Sequence, residues 1–274
     1  MHTTTRILIV AATLLGARGN LTVDVPQEGI EALIEPYVSL NLGFAVDGMI
    51  EAVEVERGDV VRAEQVIARL ESSVEELSVG IATLRAEAEA QIKSAEATLR
   101  IASKSRERNE KLFKKRIVSE EVLEEAQVTE AQAEAQVLAA QEARAMAKVE
   151  LARASAALAL RTIRSPIDGI VVERFLSPGE LVNRTSQIQV VRIDQLDPLR
   201  VEVIAPLSLI GTVRVGSEAR VFPEEPIGGS YTARVTIVDK VVDAASGTFG
   251  IRLELPNPDY VLPSGLKCTV VFGK

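Results

Sequence analysis

Histidine is almost missing from this chain: His2 is the only one in 274 residues. Ser/His/Asp and Cys/His arrangements therefore lack their general base, which removes the common routes to nucleophilic hydrolysis. Cysteine is as scarce. Cys268 alone excludes an internal disulfide, and three methionines do not cluster as a soft-metal site requires. Tryptophan is absent and aromatics are 3% of the residues, which suits thin β modules and coiled coil better than one large core. Positive charge is in deficit, with 31 Lys and Arg against 39 Asp and Glu, so a sequence-independent nucleic-acid binder is excluded. No glycine cluster opens a helix, so no phosphate loop is present and nucleotide hydrolysis is not expected. The expectation is a chain with no catalytic residue, no cofactor and no metal site.

Long hydrophobic runs are also lacking. The one candidate, Ile7 to Ala17 behind Arg6, is far shorter than the ~20 apolar residues of a spanning helix. Its length fits an export signal over residues 1–18, with Leu15-Gly16-Ala17 as a small-residue cleavage site; a buried N-terminal strand is the other reading. No Cys follows the run, so a lipoprotein anchor is not expected.

What the chain does have is a long stretch built for helix. From residue 72 to 161 there is no proline and Gly80 is the only glycine. Ala126, Ala133, Ala140, Ala147 and Ala154 recur at heptad interval, with Leu123, Val137, Leu151 and Leu158 three or four positions away. The first half answers with Val74, Leu77, Ile81, Leu84, Ala88, Ala95 and Ala102. Two such seams predict two long antiparallel helices packed as a coiled-coil hairpin, brought close by alanine. The break between them falls between Leu112 and Ser119, where Ser119 precedes Glu120 and Glu121 as an N-cap should. The many carboxylates of this stretch lie among Lys, Arg and Gln, as on a solvated face.

Short β segments flank the helices and repeat each other. Asp47-Gly48-Met49-Ile50 followed by Arg57-Gly58-Asp59 returns as Asp168-Gly169-Ile170-Val171 followed by Pro178-Gly179-Glu180. Val61 and Leu70 have their counterparts in Val182 and Val191 without a gap. This is an internal repeat split by an insertion. After Asp194, strand-like alternation continues through Arg200–Val203, Ala219–Val221, Thr232–Ile237, Ile251–Leu255 and Cys268–Val271, separated by turn signals at Gly228-Gly229, Pro256-Asn257-Pro258-Asp259 and Pro263-Ser264-Gly265.

The duplicated half-motif, with its Asp-Gly and Gly-Asp/Glu turns, resembles a biotinyl/lipoyl domain. Split by a helical hairpin, it is similar to the periplasmic adaptor subunits, or membrane fusion proteins, of bacterial tripartite efflux pumps (the HlyD/AcrA-like family). The resemblance implies a multidomain α+β fold: a strand region at 19–36 joining the barrel, a split lipoyl-like domain at 37–71 and 162–194 with structural turns at Gly48, Gly58, Gly169 and Gly179, a hairpin at 72–161, and a small antiparallel β-barrel at 195–274. In carrier domains the two halves meet at a lysine that takes the prosthetic group; here the hairpin replaces that turn, and the first lysine is Lys93, inside a helix. The fold is kept without the carrier chemistry.

The resemblance further implies a non-enzymatic adaptor in the periplasm, associated with the inner membrane. It would assemble as a homo-hexamer and link an inner-membrane transporter, of RND type by preference or ABC type as the alternative, to a TolC-like outer-membrane channel. Arg108, Leu112 and Ser119 at the hairpin tip are similar in spacing to the Arg, Leu and Ser by which such adaptors meet the channel. Metal-efflux adaptors that bind their cargo are disfavoured, because Cys268 lies at a strand position and the three methionines do not cluster. The chain ends just after the last barrel strand, so contacts to the transporter are expected largely from the barrel. A degenerate carrier protein and a scaffold coiled coil are the readings from other classes.

Overall fold

The computed structural model of the chain describes residues 29–183 and 189–273. The expected export segment and the residues up to 28 lie outside them. The chain divides into two units, Met1–Tyr37 with Leu196–Lys274, and Val38–Gln195.

The first strand is β1 (Ile30–Gly43), and three short strands follow: β2 (Gly48–Val53), β3 (Val60–Val61) and β4 (Val66–Leu70). Helices α1 (Ser73–Glu87), α2 (Ala90–Lys114) and α3 (Glu120–Ala159) come next, then β5 (Thr162–Arg164), β6 (Gly169–Arg174) and β7 (Leu181–Val182). In the unit Val38–Gln195 the strands pair across the insertion, β2 with β7, β3 with β6 and β4 with β5, as well as within the first half, β2 with β4. Neither half could bury its apolar face alone. Val61, Val182, Leu70 and Val191, the four matched positions of the repeat, are each fully buried in one core with Ile50, Ile67 and Ile193.

The backbone bonds follow the same two-fold logic. Gly58 N–H donates to Val171 O and Gly179 N–H to Ile50 O, both at 2.8 Å; Val171 N–H returns a bond to Asp59 O and Ile50 N–H to Glu180 O, both at 2.9 Å. The acid after each glycine closes its own turn: Asp59 accepts from Glu56 N–H and Glu180 from Ser177 N–H. Gly58 and Gly179 sit at φ +95° and +87°, where side chains are strained. Gly48 and Gly169, expected as turns, instead open strands β2 and β6. Gly169 is needed small because a Cβ would lie 2.6 Å from the backbone oxygen of Asp194; at Gly48 the near atom is the movable guanidinium of Arg161, 2.7 Å away.

The other unit draws on β1 and on β8 (Gln189–Pro206), β9 (Glu218–Pro223), β10 (Tyr231–Val238), β11 (Thr248–Leu255) and β12 (Leu266–Phe272). They form an antiparallel sheet in the order β1-β12-β9-β10-β11-β8, and β1 also pairs with β8, which closes it. Strict alternation on β11 sends Phe249, Ile251, Leu253 and Leu255 into the core with Leu199, Val201 and Val203 of β8. Cys268 on β12 is a buried member of this core; burial, then the nearby Glu224 carboxylate, push its thiol up to about 12.

The helices depart from the two unbroken arms expected. Returning arm α3 is one 40-residue helix, and Leu123, Ala126, Ala133, Val137, Ala140, Ala147, Leu151, Ala154 and Leu158 all lie on its buried or half-buried side. The outgoing arm breaks at Ala88, whose ψ of 118° is extended, although neither Gly nor Pro is present. Ahead of the break the residues facing α3 are Val79, Ala82 and Ala86; Val74, Leu77, Ile81 and Leu84 point outward, 53–73% exposed. Behind it the inward row is Ile92, Ala95, Leu99 and Ala102. Continued without a break, the Val79/Ala82/Ala86 row would have placed Lys93, Glu96 and Arg100 against α3. The break resets the phase so that apolar residues face inward again.

Candidate docking tip of the helical hairpin

Ion pairs fix which part of the hairpin becomes its tip. Arg161 pairs with Glu75 at the base, Arg144 with Glu89 at the break and Arg106 with Glu130 near the far end, so the numbering of one arm falls as the other rises. Arg144 also donates from Nε to Ala86 O at 3.2 Å, satisfying a carbonyl left free where α1 ends. Arg106 Nε lies 2.5 Å from Glu130 Oε2 but off the N–H axis, an ion pair without a directional hydrogen bond, while its Nη1 bonds Glu110 at 2.9 Å. Glu130 and Arg144 occupy positions of the α3 seam otherwise filled by Leu and Val, and opposite charge from the other arm meets each of them.

Beyond Arg106 the outgoing helix ends in a defined motif. Ile117 N–H donates to Leu112 O at 3.0 Å and Arg116 N–H to Phe113 O at 2.7 Å, the paired bonds of a Schellman C-cap, and Arg116 takes the left-handed conformation at φ +56°. Glycine is the usual residue there. An arginine in its place holds a guanidinium at the apex at a backbone cost of ~1 kcal/mol. Lys114 bonds Glu110 at 2.8 Å; that bond, the Lys114 charge and then Arg106 hold the Glu110 carboxyl below its ordinary 4.5.

The three residues singled out from sequence lie around this cap. Arg108 is exposed and makes no side-chain ion pair or hydrogen bond among the described residues. Leu112 is half-buried, and its carbonyl accepts from Lys115 and Ile117. Ser119 stands at the N-cap of α3 with extended backbone at ψ 163°, but its hydroxyl makes no capping bond, contrary to the role expected for it. The acidic first turn, Glu120 and Glu121, complements the helix dipole instead. The sequence reading missed Arg116, Phe113 and Ile117; the last two are 38% and 64% exposed beside Leu112. Their signal was an apolar pair with no helical phase between two helices. The tip thus presents Arg108, Lys111, Lys115 and Arg116 around a small apolar patch, a surface able to meet carboxylates or carbonyls and to bury two or three apolar side chains.

Below this tip, the domain that carries the hairpin decides the family. A family model described as the CzcB-like, barrel-sandwich hybrid domain matches residues 41–192. The chain belongs to that family. Among curated relatives, the cobalt-zinc-cadmium resistance protein CzcB of Cupriavidus metallidurans is 26% identical over 235 residues, 82% of this chain and 41% of that protein. The multidrug resistance protein MdtA of Escherichia coli is 25% identical over 225 residues, 79% of this chain and 51% of that protein. The chain therefore spans about half the length of these relatives or less. The crystal structure of MacA from Actinobacillus actinomycetemcomitans has the same fold, with a TM-score of 0.72 at 21% identity over 90% of this chain and 79% of that one.

Proposed function

We propose that the chain is the non-enzymatic adaptor of an efflux assembly. It stands in the periplasm against the inner membrane, assembles as a homo-hexamer, and joins an inner-membrane transporter to a TolC-like outer-membrane channel. The hairpin tip meets the channel. The observation that carries this reading is an unpaired Arg108 beside Leu112, held at the end of a hairpin inserted into a domain of the CzcB-like family. In that role Arg108 reaches a channel carbonyl or carboxylate, Leu112 with Phe113 and Ile117 enters a groove between channel subunits, and Ser119 starts the returning helix. RND is the favoured class of transporter, from the family resemblance, and ABC is the alternative.

No cargo is assigned, because the two curated relatives carry names for different cargo. Among the described residues no group of three or more His, Cys, Asp or Glu side chains is placed to hold a metal ion, and no helix is long and apolar enough to cross a membrane. Site-specific cross-linking tests the docking role. A photoreactive residue at Ile117 should trap the channel in cells and one at Lys93 should not; capture from Lys93 alone would reject the tip as the contact.

A further inference from the structure

Within the barrel unit, β8 enters at Leu196 and ends at Pro206, opposite Thr248 of β11. The loop that follows β8, residues 207–217, therefore lies beside the β10–β11 loop, residues 239–247, at one end of the sheet. Leu207 N–H donates to Gly247 O at 3.0 Å and joins the two loops, and Gly216 N–H donates to Val235 O at 2.8 Å and ties the first of them to β10. Each loop anchors itself inward and turns other apolar residues out. Leu209, Val213 and Val242 belong to the core or pack against it, while Leu207, Ile210, Val215 and Val241 are 47–82% exposed. A single exposed aliphatic residue is ordinary, but four on two adjoining loops form a patch that calls for a cover. The acids of this end are turned to other uses: Glu218 pairs with Arg234, Asp243 accepts from Ala245 N–H at 2.8 Å, and the Asp239 carboxylate lies back over Gly250. Arg214 and Lys240 are exposed, and their side chains make no ion pair or hydrogen bond among the described residues. Each stands next in sequence to an outward valine, Arg214 to Val215 and Lys240 to Val241.

We propose that these two loops rest on the surface of an anionic bilayer, with Leu207, Ile210, Val215 and Val241 entering the boundary between headgroups and acyl chains and Arg214 and Lys240 meeting lipid phosphates. Fluid lipid needs no matching shape, so separate aliphatic tips on two loops can each be buried in it. The phosphates supply the negative charge that the two cations lack within the chain, and long basic stems let those cations stay at headgroup level while the valines beside them go deeper. The inference rests on the adaptor reading, which stands the chain against the inner membrane, and it names the surface and the lipid chemistry of that contact.

The chain has no tryptophan, so one introduced at Val241 reports on these loops alone. In the full chain, Val241→Trp should shift its emission to shorter wavelength on mixing with protein-free vesicles of phosphatidylethanolamine and phosphatidylglycerol, and brominated acyl chains should quench it. Val261→Trp is the control: Val261 is 62% exposed in the connection between β11 and β12, at the other end of the same sheet, and should show neither effect. Arg214→Glu with Lys240→Glu should weaken the partition of the Val241→Trp chain about tenfold or more, with the circular-dichroism spectrum unchanged. Equal quenching of both tryptophans would overturn the proposal, as would a partition indifferent to the charge reversal. Silence from both tryptophans would overturn it too and assign the loops to a protein cover. Vesicle binding by a chain that supports no export would count against the adaptor reading alone; export by a chain that ignores vesicles would count against this surface alone.

Discussion

Arg116 shows how a single residue can work against local stability. Its left-handed conformation satisfies the end of α2, and glycine would hold the same Schellman geometry without a Cβ. Arg116→Gly is therefore expected to stabilise the protein by about 0.5–1 kcal/mol in chemical denaturation. A loss of stability would mean that the Arg116 side chain contributes more than its backbone costs. From sequence alone the cap at Leu112 to Ser119 was legible as a break, because the seam stops there. The left-handed residue was not, since an arginine gives no sign of positive φ. Ser119 misled in the opposite sense: its residue type and the acids after it announce a cap, yet only the backbone adopts the position.

Among the elements, α3 and the outgoing arm differ in how well periodicity predicted them. The alanine heptad of α3 specified its inward face because one unbroken helix keeps one phase. In the outgoing arm Val74, Leu77, Ile81 and Leu84 share period and phase with Ala95 and Ala102, and only the break at Ala88 turns them outward. Period alone cannot report such a shift when the residues at the break are good helix formers. Ala133 is the most buried alanine of the seam at 3% exposed, and Ala102 on the other arm is 6% exposed. Ala133→Leu is expected to cost about 1–3 kcal/mol by overpacking, read as a lowered helical melt in circular dichroism; an unchanged melt would show that the arms have room there. Acid should act at the helix ends. Ser73 lowers the pKa of Glu71, Lys93 then Arg144 that of Glu89, and Lys114 then Arg106 that of Glu110, all from an ordinary 4.5. Carboxyls lowered in the folded state add stability above 4.5 and lose it as pH falls through their folded values. The helical signal should hold from pH 7 to 5 and weaken below 4.5, and a melt independent of pH between 5 and 3 would contradict these pairings.

For the whole molecule, the split module was readable because the repeat is encoded twice, in glycines, in the acids that follow them and in the buried Val61, Val182, Leu70 and Val191. What could not be read was which surface of the hairpin stays outside, since that depends on the break and on partners. The central claim is that folding and docking separate at the tip. Arg108→Asp replaces an exposed side chain with no partner among the described residues, so its effect on stability should stay within ~0.5 kcal/mol. Docking should nevertheless fail, because a carboxylate would face an acceptor placed for guanidinium, a juxtaposition costing several kcal/mol. The deciding measurement is export complementation by Arg108→Asp in a deletion strain, paired with its melting curve. The account predicts a normal melt with export lost; a normal melt with full export would contradict it.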